Sequence, residues 1–239
     1  MKKTAMITGG AIRIGRALAE ACVVHQYQLI ILYNSSQQEA LEFSKHLKSS
    51  NINHHLMQCD LSLQDQVVNV FENIPDDFKP VDLLINSASV FPETDDWDNI
   101  YENWESILAI NSFAPLALCQ QFAQQAKAEQ DYQIINLLDA RLNHVQVERL
   151  VYRWSKQLLK HMTLDLAKTL SPKIRVNGIA PGAILPPPGK GKDHLNRLAD
   201  SIPLKKTGSV EQLKRAVDYL ISQTFVTGEI LTIDGGEFL

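Results

Sequence analysis

Three residues in this chain have the types and spacing for proton chemistry. Asp139 closes the apolar run IINLLD, and Tyr152 and Lys156 follow in the stretch YRWSK, with Tyr152 thirteen residues beyond the acid. A phenol with a pKa of about 10 exchanges protons poorly near neutrality unless a positive charge lies nearby. Lys156 supplies one if the segment is helical, because residues i and i+4 share a face. Trp154, Leu158, Met162, Leu166 and Leu170 recur at four-residue spacing, so a helix is predicted over residues 151–170 with Tyr152 and Lys156 turned towards one ligand. Lys156 is then expected to lower the Tyr152 pKa. A Tyr-x-x-x-Lys pair on a solvated helix is common by chance, so it persuades only in combination.

Asp139 narrows the chemistry. An ionised carboxylate is the wrong group to face a carbonyl oxygen that gains negative charge as hydride adds to the carbon. It suits a substrate that presents N–H donors, and when protonated it can give a proton to a ring nitrogen. The plain alternative is an Asx turn or helix cap at the strand end. Phe91, after another apolar run, offers a face against which a planar heterocycle can stack, its alternative being core packing. Asn111 lies four residues before Pro115. Proline has no N–H to give the Asn111 carbonyl, so a kink with a free carbonyl is expected there.

Such residues need a scaffold, and the chain alternates short apolar runs with helical periodicity. TAMIT, QLIILY, HHLMQCD, VDLLIN, QIINLL and IRVNGIA read as strands; RALAEACVV, EALEFSKHL, QVVNVFENI and residues 104–126 and 151–170 read as helices. Strands that are apolar throughout indicate burial on both faces, hence a doubly wound α/β fold, a parallel sheet with helices on both faces. In this class ligands bind beyond the carboxyl ends of the strands, where Asp139 stands. One domain is expected over residues 1–239, with a substrate-covering loop at about 183–207 that contains the Pro- and Gly-rich PPPGKGK.

A net charge of −4 gives no general attraction to nucleic acid or anionic membranes. The N-terminal apolar stretch is broken by Thr8, Gly9 and Gly10, too soon for a signal peptide, and no uninterrupted apolar run reaches transmembrane length. Three cysteines, Cys22, Cys59 and Cys119, lack metal-ligand spacing and favour a cytoplasmic protein with reduced thiols; the seven histidines suggest no metal site either.

The first strand runs into TGGAIRIG, with Gly9, Gly10 and Gly15 around Arg13 and Ile14. Glycines there allow a tight turn and close backbone approach to a phosphate at a helix N-terminus. At the end of the second strand, where an acid would bind the ribose hydroxyls of NAD, stand Tyr33, Asn34, Ser35 and Ser36. No carboxylate there repels a 2′-phosphate, so NADP(H) is favoured over NAD(H).

Taken together, TGGAIRIG, CDL at 59–61, NSAS at 86–89, Asn111, YRWSK, APG at 180–182 and DGG at 234–236 resemble the short-chain dehydrogenase/reductases along nearly the whole chain. The resemblance implies a Rossmann-type fold, a nicotinamide cofactor and a homotetramer. It implies that Lys156 binds the nicotinamide ribose and that Asn111 holds a water linked to Lys156 in a proton relay. It also places Asp60 and Leu61 at the adenine, Ala88, Ser89, Pro181 and Gly182 along the cofactor, and the Ile184 backbone at the carboxamide. Asp139 departs from the usual serine, and NSASVF from the usual NNAG. Arg13, Ser89-x-Phe91, Asp139 and Tyr152-x-x-x-Lys156 are similar to the pteridine reductases and bacterial dihydromonapterin reductases. A reductase of dihydropterins, with dihydrofolate as a further substrate, is therefore expected, with Arg13, Ser89, Phe91, Asp139 and Tyr152 against the substrate. The alternatives are a carbonyl reductase of the 3-oxoacyl thioester type and an NADP(H)-binding regulatory protein without turnover.

Overall fold

The computed structural model describes residues 2–92, 95–127, 131–143, 148–187, 189 and 191–239. Seven strands form one parallel sheet: β1 (Thr4–Thr8), β2 (Gln28–Tyr33), β3 (His54–Gln58), β4 (Leu83–Asn86), β5 (Tyr132–Leu137), β6 (Ile174–Pro181) and β7 (Ile230–Ile233). Their order across the sheet is β3-β2-β1-β4-β5-β6-β7. Successive side chains point to opposite faces, and both faces are apolar. Ala5, Ile7, Leu29, Ile31, Leu83 and Ile85 enter one core, while Met6, Ile30, Leu32 and Leu84 enter the other.

The first core is covered by α1 (Arg13–Val24), α2 (Gln37–Ser49) and α8 (Val210–Ser222); the second chiefly by the short α3 (Gln64–Val67) and its following turns, and by α5 (Ala114–Gln125). α6 (Leu150–Thr169) adds Leu166 and Ala167 to the second core, while α4 (Ile100–Leu108) precedes α5 and α7 (Lys192–Ala199) precedes α8 along the chain. The chain leaves β1 for β2 on one side and returns to β4 on the other, so a crevice opens at the carboxyl ends of β1 and β4.

The predicted class and six strands are present, and α6 runs within a residue of its predicted bounds. Two differences have local causes. QVVNVFENI does not continue as a helix beyond Val67: the Asn69 and Asn73 amides donate to the carbonyls of Asp65 and Asn69, a pattern that competes with regular helix. The predicted helix over 104–126 starts at Ile100 and contains a π turn at Ala109–Phe113 before α5, because Pro115 cannot donate to Asn111. By composition the whole of Ile100–Gln125 resembles a membrane span, although nearly half of it is buried inside the protein.

A buried polar row crosses the strand ends. Asn86 Nδ2 donates to Asn136 Oδ1 at 2.8 Å, and Asn136 Nδ2 donates to Thr163 Oγ1 of α6 at 2.9 Å. This row fixes α6, and with it Tyr152 and Lys156, in register with β4 and β5.

Candidate active site

A cleft of about 560 Å³, within the range for small-molecule sites, lies along the carboxyl edge of the sheet. At one end its wall is the glycine turn. Gly9 has φ +62°, and a side chain there would press on Ala88 at 3.1 Å; a Cβ on Gly15 would lie 2.2 Å from the Gly9 carbonyl oxygen. The turn therefore closes against the N-terminus of α1, which has no side-chain cap and no acid in its first turn. Its unpaired N–H groups and positive dipole end suit an anionic ligand. Asn34, Ser35 and Ser36 follow β2 on the same wall, as do Asp60 and Leu61 after β3. Asp60 is held below the usual carboxylate range by the Ser62 hydroxyl and N–H, with help from Asn34, which leaves Ser35 and Ser36 as the less committed donors.

At the other end, Tyr152 Oη donates to Asp139 Oδ2 at 2.8 Å, while Asp139 Oδ1 accepts the Arg141 N–H at 2.8 Å. Asp139 thus forms the Asx turn given as its plain alternative and contacts Tyr152 as well; among the described residues each oxygen has one hydrogen-bond partner. The Phe91 ring meets Tyr152 edge to face at 4.7 Å.

Tyr152 and Lys156 line the cleft together, one turn apart on α6 as their spacing predicts, but the groups that set the Tyr152 pKa here are others. Lys156 Nζ donates to the Leu137 carbonyl at 2.9 Å. Burial raises the Tyr152 pKa well above its ordinary value, the Asp139 charge and hydrogen bond raise it further, and the opposing cations are Arg141 and Arg149. Lys156 itself is pushed down to about 8 by burial, against the pull of Asp139.

Of the anticipated site residues, Gly9, Arg13, Ile14, Gly15, Ala88, Ser89, Pro181 and Gly182 line the cleft with those already placed there. Arg13 Nη2 donates to the Pro186 carbonyl at 2.6 Å, tying the glycine turn to the covering segment, whose α7 turns Leu195 and Leu198 into the cleft. Asn111 and Ile184 do not line it. Ile184 packs in the core, where a Cβ on Gly208 would fall 2.5 Å from its Cδ1. Asn111 is wholly buried behind the wall: its Oδ1 accepts the Val90 N–H and its Nδ2 donates to Val90 O and Ser155 Oγ. Of the expected covering loop, Pro188 and Lys190 lie outside the described residues.

Four residues that carry little or no site signal in the sequence also shape the site: Thr8, Asp95, Arg141 and Arg149. Thr8 Oγ1 accepts the N–H groups of Ser87 and Ala88, shaping the turn after β4. Arg141 lines the cleft, and the Arg149 guanidinium carbon sits 3.9 Å above the Phe91 ring. Only the position of Arg141, two residues past Asp139, marked it in the sequence.

Residues 10–237 match the family model described as enoyl-(acyl carrier protein) reductase. The solved structure of FolM alternative dihydrofolate reductase 1 from Brucella canis, complexed with NADP, superimposes with a TM-score of 0.91 at 29% identity, covering 99% of this chain and 94% of that one. Carbonyl reductase family member 4 of Xenopus tropicalis is 25% identical over 237 residues, 99% of this chain and 98% of its own length. The 3-oxoacyl-[acyl-carrier-protein] reductase FabG of Staphylococcus epidermidis is 24% identical over 253 residues, spanning both chains completely.

Proposed function

The chain belongs to the short-chain dehydrogenase/reductase family of oxidoreductases, and from that premise we propose that it uses NADPH to reduce a dihydropterin, such as dihydromonapterin or dihydrobiopterin, or dihydrofolate to the tetrahydro form. The observation that carries this reading is the 2.8 Å hydrogen bond between Tyr152 and Asp139 in a cleft shared with Phe91. Solved structures with NADP and the glycine cradle support the cofactor. When bound it supplies hydride to a ring carbon. The uncapped α1 turn and Arg13 hold its phosphates, Ser35 and Ser36 its 2′-phosphate, and Lys156 its ribose hydroxyls. Asp139 accepts from the amino and ring N–H groups of the pterin. Tyr152, hydrogen-bonded to that carboxylate, brings the proton to the ring nitrogen, and Asn111 supports the relay from behind the wall. Phe91 and Ser89 bound the space for the ring.

The second reading, reduction of a 3-oxoacyl thioester, is favoured by the full-length likeness to FabG and disfavoured by a carboxylate where carbonyl reduction needs a donor. NADPH oxidation with dihydropterins, dihydrofolate and an acetoacetyl thioester supplied side by side separates the two. Turnover of none of them with tight NADPH binding would favour a regulatory protein instead.

Cofactor choice is tested separately. NADPH is expected to bind more than about tenfold tighter than NADH, because hydroxyl donors meet the extra phosphate without an opposing carboxylate. Ser35→Asp is expected to reverse that ratio, measured by fluorescence titration; equal affinities in the parent protein contradict the assignment of Ser35 and Ser36.

The pH dependence follows from Lys156. Its folded-state pKa of about 8 lies below the ordinary lysine value, so the ammonium is present at neutral pH and is lost as pH rises through about 8. NADPH affinity is therefore expected to weaken with a midpoint near that pH, and a flat titration from about pH 7 to about pH 9 removes Lys156 from cofactor binding.

We further propose a homotetramer. Large apolar side chains are exposed on the helices around the π turn, among them Tyr101, Trp104, Phe113, Leu116 and Trp154, and towards the C-terminus at Leu204, Tyr219, Phe225 and Leu239. Such exposed apolar area suits symmetric contacts between copies, and sedimentation tests the stoichiometry.

A further inference from the structure

The helix that carries Tyr152 begins in an unusual way. Arg149, just before α6, has φ 56°, in the left-handed region, and its own side chain makes no cap hydrogen bond. A helix N-terminus has four N–H groups without intrahelical partners, and here they lie next to a residue of the proposed chemistry. The partner comes from far away in sequence. Asp95, in the segment between β4 and α4, accepts the Val151 N–H on Oδ1 at 3.0 Å and the Tyr152 N–H on Oδ2 at 2.7 Å, and its backbone carbonyl accepts the Leu150 N–H at 2.9 Å. Asp95 is 4% exposed.

Three consecutive N–H groups thus end on one residue. A buried carboxylate placed on the positive end of a helix forms charge-assisted bonds that are shorter and stronger than neutral ones. The contact also joins two parts of the site. Asp95 lies four residues after Phe91, whose ring touches Tyr152 and lies under the Arg149 guanidinium; among the described residues Arg149 Nη1 has no hydrogen-bond partner. One residue earlier, Val90 is held through both backbone groups by Asn111. Val90 is therefore fastened to the π turn, and Asp95, five residues on, to the first turn of α6.

We propose that Asp95 is a positioning residue: by capping α6 from the Phe91 segment, it sets the place of the Tyr152 hydroxyl relative to Asp139 and Phe91, so that the proton donor and the wall of the ring slot are held as one unit. The proposal rests on Tyr152 as the proton donor, but not on which substrate it serves. Without Asp95, the first N–H groups of α6 lose their acceptor in a buried place and the turn that bears Tyr152 loosens. Among the described residues, no hydrogen bond joins Asp95 to the wall built from α1 and the ends of β2 and β3, and Lys156, one turn further along α6, is held separately by the Leu137 carbonyl.

The test is a split between catalysis and cofactor binding, joined to a measurement that needs no substrate. In Asp95→Ala, the amides of Val151 and Tyr152 are expected to exchange hydrogen at least about tenfold faster than in the parent protein, while amides of α1 keep their rates. The kcat for whichever substrate is turned over is expected to fall by about tenfold or more, with the Kd for NADPH unchanged within about twofold. Asp95→Asn keeps the shape and one acceptor oxygen, and is expected to fall between the two. It also serves as the readout if the alanine variant does not fold. Unchanged exchange at Val151 and Tyr152, a kcat within about twofold of the parent, or a loss of NADPH affinity in step with kcat overturns the proposal. Faster exchange in a protein that turns over no dihydropterin leaves the cap standing and rejects the pterin reading alone.

Discussion

Asp139→Ser is expected to lower turnover of a dihydropterin by about ten- to hundredfold while leaving the Kd for NADPH within about twofold of the parent. The carboxylate has one oxygen on the Arg141 N–H and the other on the Tyr152 hydroxyl, and it borders the cleft. A bound pterin presents N–H donors to that group, and hydrogen bonds to a charged partner contribute about 1.5–3 kcal/mol, which corresponds to the stated range. Serine has one oxygen and a proton to donate, so it cannot accept from Arg141, Tyr152 and substrate together. As a donor it suits a carbonyl oxygen, and reduction of an acetoacetyl thioester is expected to rise. The check is steady-state kinetics on both substrates beside a fluorescence titration of NADPH. Equal losses of turnover and cofactor affinity would mean that Asp139 holds the strand end and does no more.

Tyr152→Phe is expected to have the larger effect, a fall in kcat of about 10²- to 10⁴-fold, as is usual when a positioned acid or base is removed. The phenylalanine keeps the edge-to-face contact with Phe91, so the ring slot survives and only the hydroxyl is lost. Burial and Asp139 raise the Tyr152 pKa well above its ordinary value, which keeps the hydroxyl protonated but makes it a weaker acid, so donation relies on the opposing cations Arg141 and Arg149. Stopped-flow measurement of NADPH oxidation at saturating substrate provides the test. Retention of more than about a tenth of the parent rate would assign the proton to Asp139 or solvent.

The fold was legible because its signals are local and repeated. Five βα alternations with apolar strands specify a doubly wound sheet, and the leucines of residues 158–170 mark α6 to within a residue. β7 and α8 were not anticipated: ILTI is short and partly exposed, and gains its place only by pairing with β6. Most of the cleft was legible too, since its residues follow directly after strands. What sequence did not show is how polar groups choose partners over long separations. Asp95 meets α6 across more than fifty residues, and Arg149 meets Phe91 across nearly sixty. Lys156 illustrates the same limit from the other side. Its spacing from Tyr152 was correct, but the Leu137 carbonyl, brought in by β5, takes the ammonium, and Asp139 takes the phenol.

The substrate class is tested most directly by kcat/KM for NADPH-dependent reduction of dihydromonapterin, dihydrobiopterin, dihydrofolate and an acetoacetyl thioester under one set of conditions. At least one reduced pterin or folate is expected to exceed the thioester by more than about a hundredfold, well within the roughly 10⁴-fold by which a site built to hydrogen-bond a substrate rejects one without those groups. Turnover of the thioester with none of the pterins or folate would contradict the assignment of Asp139 and make the chain a carbonyl reductase.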